Sequence, residues 1–146
     1  MRMVEYYEYG LVGLFVVCFV ASTLYPLGSE AFVVGFVAVG FEPLAVWAVA
    51  SCGNTLGSLS TYYLAYFGGY KMIMRFFPKA WEKISTLTPK IQKYGFVYAF
   101  FVFLPFVGDI FALALGLVRY SQILCVLGIA FGKMARYALL VVPFVL

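Results

Sequence analysis

Four charged side chains stand where this chain is otherwise apolar. Glu30 closes the stretch "YPLGSE" at 25–30, and Asp109 follows a proline and a glycine in "FLPFVGDIF" at 103–111. Lys133 and Arg136 lie three apart in "GKMARY", so a helix would place them on one face. An ionisable group at the centre of a membrane helix costs about 2.5–3.5 kcal/mol on insertion scales, so its retention requires compensation or use. A desolvated carboxylate can exchange protons near neutral pH unless a cation holds it ionised. A guanidinium offers a planar fork of donors suited to phosphate. The plainer alternative makes each acid a cap for the helix after its break, with the cations reaching toward an interface. Asn54 joins the candidates from "SCGNTLGSLST" at 51–61, as a donor to a head group or to a hairpin carbonyl. Around it Ala50, Gly57, Ser58 and Thr61 have the small-residue spacing that lets membrane helices approach closely.

The elements that must position these groups are helices in a membrane. The 146 residues are 65% hydrophobic and 11% charged, with mean hydropathy +1.01, which is outside the range of soluble domains. The apolar residues come in long runs without period-2 alternation, so the fold class is all-α integral membrane. With no histidine and no phosphate-binding glycine loop, no metal, cofactor or enzymatic centre is expected. Cys18, Cys52 and Cys125 are isolated and expected to be packed thiols. Glu5 and Glu8 argue against a cleaved leader.

Five apolar blocks run over 11–25, 31–41, 43–67, 95–118 and 121–146. The third reaches about 37 Å and the first only about 22 Å, against a hydrocarbon core of about 30 Å. The first two are therefore expected to form a re-entrant hairpin, broken at Pro26 and Gly28. The fourth is expected to form another, broken at Pro105 and Gly108. An offset of 79 superposes Pro26 on Pro105, Glu30 on Asp109, Gly53 on Gly132 and Asn54 on Lys133. One membrane domain is thus expected, with repeat 1 at about 11–68, a linker at about 69–94 and repeat 2 at about 95–146. A repeated unit with one crossing inverts its orientation, so the two hairpins are expected to face each other near the midplane.

The linker carries Lys71, Arg75, Lys79, Lys83, Lys90 and Lys93 among Met72, Ile73, Phe76, Trp81 and Ile84. It is expected to lie in the interface, rings toward acyl chains and cations toward anionic head groups, on the cytoplasmic side by the positive-inside rule. Nucleic acid is not an expected partner.

With these segments in view, "ASTLYPLGSEAFVVGF", "GNTLGSLSTYYL", "KYGFVYAFFVFLPFVGDIFALALGLVRYS" and "GKMARY" resemble the DedA superfamily (the VTT, or SNARE-associated, domain), above all its short YqaA-type branch. The resemblance implies a cytoplasmic-membrane protein with two opposed hairpins, linked to proton-dependent membrane homeostasis and to lipid translocation. The family's first-hairpin acid carries over onto Glu30 and its second-hairpin proline onto Pro105. The chain departs from larger members at Val17 and Cys18, where they hold another acid. It departs again at Val102 and Gly108, where they hold arginines.

The expected function is a flippase or scramblase for phospholipid or polyprenyl phosphate. Lys133 and Arg136 would receive the phosphate, with Asn54 nearby, while Glu30 and Asp109 neutralise it or exchange protons. Its partners would be anionic membrane lipids and protons, with a homodimer as the favoured assembly. The rivals are a proton-coupled transporter of a small solute or ion and a membrane organiser that transports nothing.

Overall fold

The computed structural model describes residues 2–23, 28–76, 78–104 and 107–146, with the side chains of Ala80 and Asp109 excepted. Pro26 and Pro105, at the expected breaks, lie outside the described residues, as does the carboxylate of Asp109. The described chain is all helical: α1 (Arg2–Ala21), α2 (Ser29–Val39), α3 (Pro43–Phe76), α4 (Pro78–Phe100), a 3-10 turn (Phe101–Phe103), α5 (Gly108–Leu117) and α6 (Gln122–Val145). By length and apolar composition, α1 and α6 could each cross a membrane. Two compact units divide the chain, Met1–Gly57 with Lys133–Leu146, and Ser58–Gly132.

In the first unit α2 returns alongside α1. The Tyr7 ring stacks on Phe41 at 4.7 Å, and the Tyr7 hydroxyl accepts the Glu42 N–H at 3.1 Å, which ties the α2–α3 corner to the first half of α1. Leu14, Cys18, Val33, Val37, Val46, Ala50, Tyr137 and Val141 form the core. Two glycines set how closely α3 can approach α1. A Cβ on Gly53 would lie 2.6 Å from the Phe15 carbonyl, and one on Gly57 would meet the Phe19 carbonyl one turn later. Only glycine admits backbone at that distance.

In the second unit α5 is enclosed, with Ala112, Ala114 and Leu115 fully buried. Non-helical backbone at Gly69 in α3 and Tyr94 in α4 sets the linker apart from the apolar helices around it. Ile73, Ile84 and Ile91 are buried in this unit's core. Ile73 and Ile84 therefore face protein instead of acyl chains.

The corner after α2 and the corner after α5 share their hydrogen bonds. Gly40 and Arg119 both have positive φ, 110° and 54°. The N–H of each bonds back to Val37 and Gly116 respectively, and the next N–H to Phe36 and Leu115. That is the Schellman closure of a helix C-terminus. The helix that follows then opens in both cases from a carbonyl, Glu42 to Val46 N–H and Ser121 to Cys125 N–H, each 3.0 Å. All of these pairs are 79 residues apart.

Two further sequence expectations change. The first apolar block, expected to begin at residue 11, belongs to a helix that starts at Arg2 and includes Glu5 and Glu8, since acids near a helix N-terminus are favoured there. Cys52, expected to be packed, is exposed on the outer side of α3, whereas Cys18 and Cys125 are buried.

Candidate functional site

The first unit gathers polar groups around the start of α2. No side chain caps this helix at Gly28. Ser29 Oγ and the Tyr137 hydroxyl share a buried hydrogen bond at 2.7 Å. The residue after Ser29 and the residue before Tyr137 form a second link, an ion pair between the Glu30 carboxylate and the Arg136 guanidinium. Adjacent residues of α2 are thus clasped to adjacent residues of α6. The guanidinium is 17% exposed and the carboxylate 35%, so the pair is partly screened from solvent. A carboxylate in the first turn also faces the positive end of the α2 dipole. Arg136 itself lies 5.7 Å from the centre of the Tyr137 ring.

Lys133, one turn before Arg136 on α6, is buried at 4% exposure. Among the described residues the first unit thus sets two cations one turn apart on α6, with the Glu30 carboxylate on Arg136. Among the described residues no group of acids, cysteines and histidines could hold a metal ion.

Asn54 ties this cluster to the end of α1. The last carbonyls of a helix have no partners within it. Here Ser22 N–H bonds to the Phe19 carbonyl, so the Cys18 carbonyl is released and accepts Asn54 Nδ2 at 3.0 Å. Ser22 Oγ in turn donates to the Asn54 carbonyl at 2.6 Å. Asn54 thus donates to a carbonyl of α1. Its own Oδ1 is buried with no hydrogen-bond partner among the described residues, as is Ser51 Oγ one turn earlier. Replacing Asn54 with leucine should destabilise the protein by about 1–3 kcal/mol, because the Cys18 carbonyl would be left buried without a donor. A lowered thermal midpoint in detergent, with faster hydrogen exchange at the end of α1, checks this.

Among the sequence candidates the structure brings together Glu30 and Arg136, with Asn54 and Lys133 in the same unit. Gly28 immediately precedes α2, and Gly108 is the buried first residue of α5. Ser29 and Ser22 were not candidates in the sequence. A hydroxyl pair 108 residues apart leaves no local pattern to find.

A family model described as the VTT domain matches residues 6–146. An uncharacterized protein of Haemophilus influenzae is 30% identical over 144 residues, covering 91% of this chain and 88% of that protein. The inner membrane protein YqaA of Escherichia coli is 30% identical over 132 residues, covering 87% and 85%. An uncharacterized protein of Methanocaldococcus jannaschii is 25% identical over 142 residues, covering 95% and 86%. No solved structure matches the chain.

Proposed function

This chain belongs to the VTT-domain family, in the YqaA-like branch of the DedA superfamily, and on that premise we propose that it carries phosphate-bearing lipid across the cytoplasmic membrane. The observation that carries the reading is the Glu30–Arg136 pair with Lys133 buried on the same helix. A phosphate head group matches the planar fork of Arg136 as a carboxylate does, so it can take the place of Glu30 there. When Glu30 takes up a proton its hold on Arg136 weakens, and the phosphate can replace it. Release of the proton restores the pair and expels the head group. The acyl tails stay in the bilayer, where Leu44, Trp47, Val141 and Val142 line an apolar groove along α3 and α6.

Re-entry of the first hairpin is part of this proposal. Measured from Tyr7, level with the α2–α3 corner, α1 has about 21 Å left before it ends at Ala21, short of a hydrocarbon core of about 30 Å. The 11 residues of α2 are shorter still. The shared corner hydrogen bonds support a repeat of hairpin and span at an offset of 79. A repeat with one crossing inverts, which is the design of many secondary transporters. The name of the Escherichia coli relative supports an inner-membrane location, and the linker cations favour the cytoplasmic side for that segment. No catalytic step is assigned, and a homodimer remains the favoured assembly.

The test is reconstitution of the full chain into liposomes containing labelled phospholipid or polyprenyl phosphate, with and without a proton gradient. The expected result is transbilayer movement faster than in empty liposomes. Movement at the empty-liposome rate for every lipid tested refutes lipid translocation. Uptake of a small anion in its place would favour the solute-transporter reading.

A further inference from the structure

The linker between Gly69 and Tyr94 has two unlike sides. On one, Ile73, Ile84 and Ile91 are fully buried in the core of the second unit, with half-buried Trp81 beside them. That side is already occupied by protein, so the linker is a fixed face of the unit. The other side exposes Lys71, Arg75, Lys79, Lys83, Lys90 and Lys93. Glu82 is the one acid in the segment. Large apolar side chains stand among the cations, with Tyr70 52%, Met74 48% and Phe76 64% exposed. The Arg75 guanidinium lies 5.6 Å from the centre of the Phe76 ring, and Lys93 Nζ lies 5.3 Å from that of Tyr94.

We propose that this outer face is a binding surface for anionic phospholipid head groups. A soluble acidic partner would match the charge but leave the exposed Tyr70, Met74 and Phe76 side chains in water. A leaflet satisfies both, with cations at the phosphates and apolar side chains at the acyl boundary. Burial of Ile73 on α3 and of Ile84 and Ile91 on α4 keeps each helix from rolling, so the cations stay on the outer side. Binding at this face is independent of what the first unit transports.

Trp81 supplies the reporter. With Trp47→Phe in the full chain it is the one remaining tryptophan. The protein is reconstituted in phosphatidylcholine vesicles containing an equal minor fraction of brominated phosphatidylglycerol or of brominated phosphatidylcholine, and quenching of Trp81 is compared. The brominated anionic lipid should be preferred about fivefold or more, what one basic side chain near an anionic surface supplies. Replacing Lys71, Arg75, Lys79 and Lys83 together with glutamine should bring the two lipids to parity. If that variant does not fold, raising the salt to screen these exposed charges makes the same test on the Trp47→Phe chain. Equal quenching by the two lipids at low salt, or quenching by neither, overturns the proposal. So does a preference that survives both the substitutions and the salt. Glu30→Gln should abolish transport without changing the preference, which keeps the two proposals separately testable.

Discussion

Replacing Arg136 with methionine is expected to stop lipid movement in liposomes and to lower stability. The expected loss is about 2–3 kcal/mol, at or below the range for fully buried pairs because Glu30 keeps 35% of its side chain exposed. The loss comes from Glu30, left charged in a partly desolvated position, more than from the attraction itself. Replacing Glu30 with glutamine as well removes that stranded charge. The double variant should therefore recover most of the stability while transport stays absent. A double-mutant cycle in detergent, read by thermal midpoint, measures the coupling between the two residues. Unchanged transport in Arg136→Met would remove this residue from the site. An unchanged midpoint would show that the pair contributes nothing to folding.

The second large effect is steric. Gly57→Val should prevent α3 from seating on α1, since even a methyl group at this position meets the Phe19 carbonyl. Overpacking in a core costs about 1–3 kcal/mol when side chains can move aside, and backbone cannot do so as easily. Gly53→Val should behave similarly, with its added carbon 2.6 Å from the Phe15 carbonyl. Gly35→Ala is the control, because a Cβ there has nothing within 4 Å. Size-exclusion profiles and thermal midpoints of the three variants check the order. Equal stability for Gly57→Val and the control would refute the close approach of α1 and α3.

Much of this was legible in the chain. "YPLGSE" marks a helix start by its proline and glycine, and α2 begins at Ser29. Pro43 marks the start of α3, since proline is favoured in a first turn where its missing N–H costs nothing. Asn54 stands out inside a small-residue stripe as a donor to a head group or to a hairpin carbonyl, and its Nδ2 donates to the Cys18 carbonyl of α1. Other features were hidden for physical reasons. Glu5 and Glu8 interrupt the apolar run that contains them, so the first nine residues of α1 do not read as part of a membrane helix. Ile84 and Ile91, seven apart on α4, share a face, but an apolar stripe looks the same whether protein or lipid covers it. The partner of Glu30 could be narrowed to Lys133 or Arg136 by charge. Choosing Arg136 depends on Ser29 and Tyr137 holding the neighbouring positions together.

The bond from Asn54 to the Cys18 carbonyl also bears on how the protein is made. The hairpin's first helix ends on a carbonyl whose donor lies 36 residues farther along the chain. Until α3 has left the ribosome and entered the bilayer, that carbonyl must stay near water or remain unsatisfied in hydrocarbon, where each such group costs several kcal/mol. The hairpin and α3 are therefore best delivered to the membrane together. A stalled nascent chain that ends before Asn54 should hold α1 loosely, accessible to protease, and one long enough to insert α3 should lock it in place.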